Sequence, residues 1–135
     1  MDDRIMQVTF PGGVRVDAGY KGFVIQTDQP EYAGGTGSAP APFDLFLASL
    51  ATCAGHYVLA FCRERKIPAE GIALSMRMER KQETRMIGKI TIEISLPSDF
   101  PEKYTNAVIR AADHCAVKAH IARPPVFEIT AMIRS

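Results

Sequence analysis

The chain has no tryptophan, only three cysteines in 135 residues, and no excess of charge of either sign. Each shortage excludes something. An odd, small cysteine count does not suit a secreted scaffold stapled by disulfides, which carries an even set. The opening stretch MDDRIMQVTF is acidic and lacks the apolar run of a signal peptide. The expected setting is therefore cytoplasmic, where thiols stay reduced and a disulfide is catalytic or redox-sensing rather than structural. The 16 basic and 15 acidic side chains leave a net charge of +1, so neither nucleic acid nor an anionic membrane surface is an expected partner. There is no GxSxG nucleophile elbow. Gly34-Gly35-Thr36-Gly37 lacks the GxxxxGK(S/T) spacing of a phosphate loop. The paired CxxC spacing of structural zinc sites is missing too. Cys53-x-x-His56 with Cys115 is too sparse a set to predict a metal, and no cofactor is expected.

What is present is ordinary globular material, 47% hydrophobic and 23% charged, in one domain spanning 1–135. Met6, Val8 and Phe10 alternate with polar residues, and Pro11-Gly12-Gly13 marks a turn. Val14, Val16 and Ala18 alternate next, and 22–27 suit a third strand. Residues 28–42, rich in Gly, Pro, Ala and Ser, read as a long loop, of a length that is often functional.

The stretch 43–62 has only Asp44, Ser49, Thr52 and His56 as polar residues. It predicts a helix apolar almost all round, which must be buried on nearly every side. Its length approaches a membrane span. Small residues, Asp44, His56 and the flanking amphipathic strand patterns argue instead for a core helix. At 1.5 Å per residue such a helix runs roughly 30 Å, long for a monomer of this size to enclose, and two copies sharing one core solve the problem. Alternation returns over 72–79 and 90–96, with 81–84 as the turn. A second helix is expected from Asp99, where Glu102 and Pro101 make a capping-box-like start. Its stripe Tyr104, Ala107, Val108, Ala111, Cys115 carries it to about 121, before Pro124-Pro125. Phe127, Ile129, Ala131 and Ile133 alternate as a last strand. The order βββ-α-ββ-α-β predicts an α+β fold with antiparallel sheet.

Cys53 and Cys62 lie nine residues apart, on opposite faces of one helix, so they cannot pair there. Cys53 and Cys115 could meet across a helix–helix contact. Free cysteines are most often small buried hydrophobes, and all three could be no more than that. Asp44 opens the helix as an acid favourable to its dipole. His56 lies near the face of Cys53, and His114 adjoins Cys115.

Two stretches resemble a known family. GSAPAPFDLFLASLATCAGHYV (37–58) is similar to the signature of the OsmC/Ohr family, and Asp113-His114-Cys115-Ala116-Val117 to its second cysteine motif. Their spacing is closer to the less characterised OsmC-like branch than to the Ohr peroxidases. The resemblance implies an intertwined homodimer in which antiparallel sheets from both chains enclose two central helices. It implies thiol-dependent reduction of organic hydroperoxides in oxidative-stress defence, with an external dithiol as reductant. By the family pattern Cys53 matches the peroxidatic cysteine, Cys115 the resolving one and Asp44 the helix-start acid. The family also places a catalytic arginine on its N-terminal hairpin; Arg15 is the nearest match to it, with Arg80 or Arg85 on the second hairpin as substitutes. The chemical logic is that a buried thiol needs a nearby cation to ionise, and arginine supplies one without titrating.

A second reading keeps the fold as a non-catalytic dimeric module that binds a small apolar ligand and leaves its thiols unreactive. A hot-dog thioesterase, which also wraps sheet around a long helix, is disfavoured by the second helix before the last strand.

Overall fold

Alternation in the first thirty residues becomes a three-stranded antiparallel meander of β1 (Gln7–Gly12), β2 (Arg15–Tyr20) and β3 (Phe23–Thr27), in that order across the sheet. The computed structural model describes residues 4–134, and these form two compact units that divide between Ala48 and Ser49. In the first unit β1 pairs Val8 with Ala18 and is bulged between Thr9 and Gly12, while β2 pairs Asp17 with Gln26. Lys21 and Gly22 join β2 to β3 with φ of 51° and 82°, the two positive angles of a type I′ hairpin turn.

Residues 28–41 form an organised loop with a 3-10 turn at Glu31–Ala33. Its centre is Asp28, which is buried. Asp28 accepts the Gln29 N–H at 2.8 Å, the Thr36 N–H and hydroxyl at 3.3 and 3.0 Å, and the Ser38 N–H and hydroxyl at 3.0 and 2.6 Å. These donors, Ser38 foremost, hold its carboxyl well below the usual carboxylate range. A side chain at Gly35 would meet the Gln29 carbonyl oxygen at 2.0 Å, so only glycine lets the loop close.

Helix α1 (Pro42–Glu64) begins with proline in its first turn, and Asp44 Oδ2 accepts the Ala41 N–H at 3.0 Å. That is the backward-reaching half of a capping box. The helix ends at Glu64, four residues before Pro68. Lys66 takes a left-handed φ of 56°, the Ile67 N–H reaches the Cys62 carbonyl at 2.9 Å and the Lys66 N–H reaches Arg63 at 3.2 Å, a Schellman motif. By length and composition α1 could cross a membrane, a test that the core helix of a soluble protein also passes.

In the second unit β4 (Ala73–Arg80) and β5 (Ile87–Ser95) form an antiparallel hairpin with Leu74 opposite Ile94 and Met76 opposite Ile92. A core of Val58, Phe61, Cys62, Phe100 and Val108 packs with Leu74, Ile94, Leu96 and Tyr104. The Arg65 guanidinium lies 3.7 Å from the Phe61 ring centroid and covers one edge.

The fold is α+β, with two antiparallel sheets and three α-helices among the described residues. Two expectations need correction. The continuous helix from Asp99 to about 121 is a 3-10 turn at Glu102–Tyr104 followed by two helices, α2 (Thr105–Ala112) and α3 (Ala116–Ala122). Pro101 has an extended ψ of 115°, so Asp99 does not cap a helix; Cys115 has ψ of 120°, which ends the helical run there. The alternating stretch 127–133 forms no strand among the described residues. A strand needs a neighbour for its N–H and C=O groups, and this stretch is paired with none; its side chains are exposed on both faces.

Candidate active site

The broken second helix sets the geometry of the thiols. Cys115 sits at the break as the N-cap of α3, and its Sγ accepts the Lys118 N–H at 3.4 Å. An ion pair between Lys118 Nζ and Asp113 Oδ1 spans the break on the solvent side. The turn aims the first amides of α3 at Cys53, half-buried in the middle of α1. The Val117 and Ala116 amides and the Cys115 thiol neighbour the Cys53 sulfur and favour its charged form. Ordinarily the first N–H groups of a helix lack partners; here the Lys118 N–H finds one in the Cys115 sulfur.

The electrostatics follow. Hydrogen bonds from the Val117 amide, the Cys115 thiol and the Ala116 amide hold the Cys53 thiol below its ordinary range, against partial burial. Burial pushes Cys115 up, and its bond to the Cys53 sulfur keeps its proton in place. The pair is thus divided into a sulfur poised to ionise and one poised to remain a thiol, in hydrogen-bond contact. Such an arrangement offers a nucleophile with a second thiol beside it.

Cys62 is separate. It is fully buried in the core cluster, and burial raises its pKa. Arg15 lies on β2 in the first unit, its Nη2 3.4 Å from Asp17 Oδ1, and its Nε is buried without a hydrogen-bond partner among the described residues. Asp44, also in the first unit, serves the start of α1. Arg80 donates to the Arg85 carbonyl at 2.9 Å and so is tied to its own hairpin turn. His56 stacks edge-on with Tyr57 at 5.1 Å. Among the described residues no group of three or more His, Cys, Asp or Glu could hold a metal ion.

Sequence reasoning paired Cys53 with Cys115 but missed what lies between them. The amides of Ala116 and Val117 belong to residues with no polar side chain, so only the break at Cys115 could have revealed them. Asp28 was missed too; its signal was an aspartate opening a loop that later offers Thr36 and Ser38, a side-chain-to-backbone pattern typical of such turns.

A family model described as OsmC-like protein matches residues 35–130. A solved structure from Psychrobacter arcticus 273-4, whose name assigns it to osmotic stress and detoxification response, is 25% identical with a TM-score of 0.72. The match covers 88% of this chain and 87% of that one. An organic hydroperoxide resistance protein OsmC from Legionella pneumophila is 18% identical with a TM-score of 0.56, covering 87% of each chain. An OsmC like protein from Mycoplasma pneumoniae is 15% identical with a TM-score of 0.64, covering 90% of this chain and 89% of that one. The last two carry the fold alone. No curated protein matches the chain.

Proposed function

The chain belongs to the OsmC-like protein family, and from that premise we propose that it reduces organic hydroperoxides through Cys53 and Cys115. The observation that carries this reading is the divided pair: Cys53 lowered by α3 amides, Cys115 kept protonated beside it. The Cys53 thiolate attacks the outer oxygen of the hydroperoxide. The O–O bond breaks, the alkoxide takes a proton from water and leaves as alcohol, and Cys53 is left as a sulfenic acid. The Cys115 sulfur then bonds to Cys53, and the departing hydroxide takes the Cys115 proton to form water. An external dithiol returns the disulfide to two thiols by exchange. Leu50 and Ala54, buried beside Cys53 on α1, favour an organic peroxide over hydrogen peroxide. Arg15 enters the proposal as the fixed cation that assists Cys53, and Asp44 as the acid that orients it.

The same reading makes the working unit a homodimer in the cytoplasm. Its support is apolar surface that one chain leaves bare: Val126, Ile129 and Ile133 are 96–97% exposed, and only five of the 23 residues of α1 are buried. Exposure on this scale marks an interaction surface. A second copy of the chain would cover α1 and give 127–133 the neighbour strand it lacks.

The test is consumption of cumene hydroperoxide with dihydrolipoamide as reductant. The wild-type chain turns over, Cys53→Ser does not, and hydrogen peroxide is consumed more slowly. Absence of turnover with every dithiol tried overturns the reading in favour of a non-catalytic module that binds a small apolar ligand.

A further inference from the structure

We propose that closing the Cys53–Cys115 bridge uncaps α3, which makes this short helix an element whose order depends on the redox state of the pair. The inference rests on the peroxidase reading for its physiological oxidant, but its structural content is separate. The first turn of α3 is capped by sulfur. Cys115 is its N-cap, and the Lys118 N–H bonds Cys115 Sγ at 3.4 Å, while the Ala116 and Val117 amides neighbour the Cys53 sulfur. Only from Ala119, whose N–H meets the Cys115 carbonyl at 3.0 Å, does the backbone supply an acceptor.

Oxidation changes both sulfurs at once, the capping one included. The two thiols give up two protons and two electrons, and a hydroperoxide takes them to become alcohol and water. A sulfur that can ionise can become a charged acceptor, whose hydrogen bonds are among the stronger kind; a disulfide sulfur stays neutral and is a weak acceptor. The bridge also draws two neighbouring sulfurs to a bond length of about 2.05 Å, which pulls Cys115 Sγ away from the Lys118 N–H. Helix α1 is 23 residues long and anchored by Leu50, Ala54, Val58, Phe61 and Cys62 in the interior, whereas α3 has seven residues and buries none. The element that moves is therefore α3. Two turns of helix do not hold themselves together in water, so losing the cap frays the helix.

The experiment is hydrogen–deuterium exchange of the full chain in the reduced state and after diamide, which accepts the two thiol hydrogens and becomes the hydrazine. Peptide mass spectrometry of the same samples reports whether Cys53 and Cys115 are joined. The expected result is exchange at 116–122 that is roughly fivefold to tenfold faster in the bridged chain, the scale of a lost helix cap. Exchange in β4 and β5 stays unchanged, and Cys115→Ser, which cannot bridge, shows no acceleration. A bridged chain with unaltered exchange at 116–122 overturns the inference, and so does failure of diamide to form the bridge. Acceleration in a chain that diamide bridges but cumene hydroperoxide does not supports the inference and removes the peroxidase reading.

Discussion

Helix α1 carries two cysteines in two different environments, and the contrast explains where reactivity comes from. Cys53 and Cys62 share one helix, nine residues apart. Cys53 faces the open end of another helix and is lowered by its amides. Cys62 faces Val58, Phe61, Phe100 and Val108 and is raised by burial, which the Arg65 charge only partly offsets. Burial alone makes a thiol inert; burial with donors aimed at the sulfur makes it a nucleophile. Asp28 obeys the same rule, since it is buried yet five hydrogen bonds favour its charged form.

One substitution made at both cysteines gives the sharpest break. Cys53→Ser lowers kcat/KM for cumene hydroperoxide by at least about a thousandfold and leaves stability nearly unchanged. Cys62→Ser does the reverse. It places a hydroxyl in an apolar core at a position with no exposure, costing roughly 1–3 kcal/mol in urea unfolding, with kcat/KM within about twofold. Equal effects at the two positions would abolish the distinction.

The next effect is acid sensitivity. Asp28 has a folded pKa below its unfolded value. Its contribution is fully present above about pH 3.9, the unfolded pKa, and is lost as pH falls through the folded value. Asp28→Asn lowers the thermal midpoint by roughly 5–10 °C at pH 7, and the difference from wild type narrows on acidification. A constant difference across pH means that the charge of Asp28 does not matter.

Smaller again is the titration of the thiols. Iodoacetamide alkylation of native Cys53 has a midpoint below about 8.5, the value for free cysteine, while Cys62 stays unmodified in the folded chain. Cys115→Ala moves that midpoint upward, because it removes the thiol donor, although α3 amides remain. The smallest effect is at the ion pair across the helix break. Asp113→Asn shifts the thermal midpoint by less than about 2 °C, as an exposed pair should.

Most of the fold was legible because its signals are local. Alternation placed β1, β2, β4 and β5, residues 22–27 suited β3, and Asp44 marked the start of α1. The strand expected at 127–133 was misread for one chain because pattern encodes which face is apolar, not which neighbour supplies the hydrogen bonds. The helix expected from Asp99 to about 121 was misread for a different reason. Cys115 continues the apolar stripe of α2, so periodicity runs straight through a residue whose backbone is extended. At the candidate site, residue types and resemblance pointed to both thiols. The groups that tune Cys53 are backbone amides, and a sequence pattern seeks side chains.

The most direct test of the central claim is mass spectrometry of the reduced chain a few seconds after about one equivalent of cumene hydroperoxide, which limits oxidation to its first reversible steps. The account predicts a mass loss of two hydrogens that maps to a Cys53–Cys115 peptide, with Cys62 still reduced. In Cys115→Ser the reaction stops at a sulfenic acid on Cys53 that dimedone traps. Thiols that remain reduced, or a bridge that includes Cys62, would contradict it.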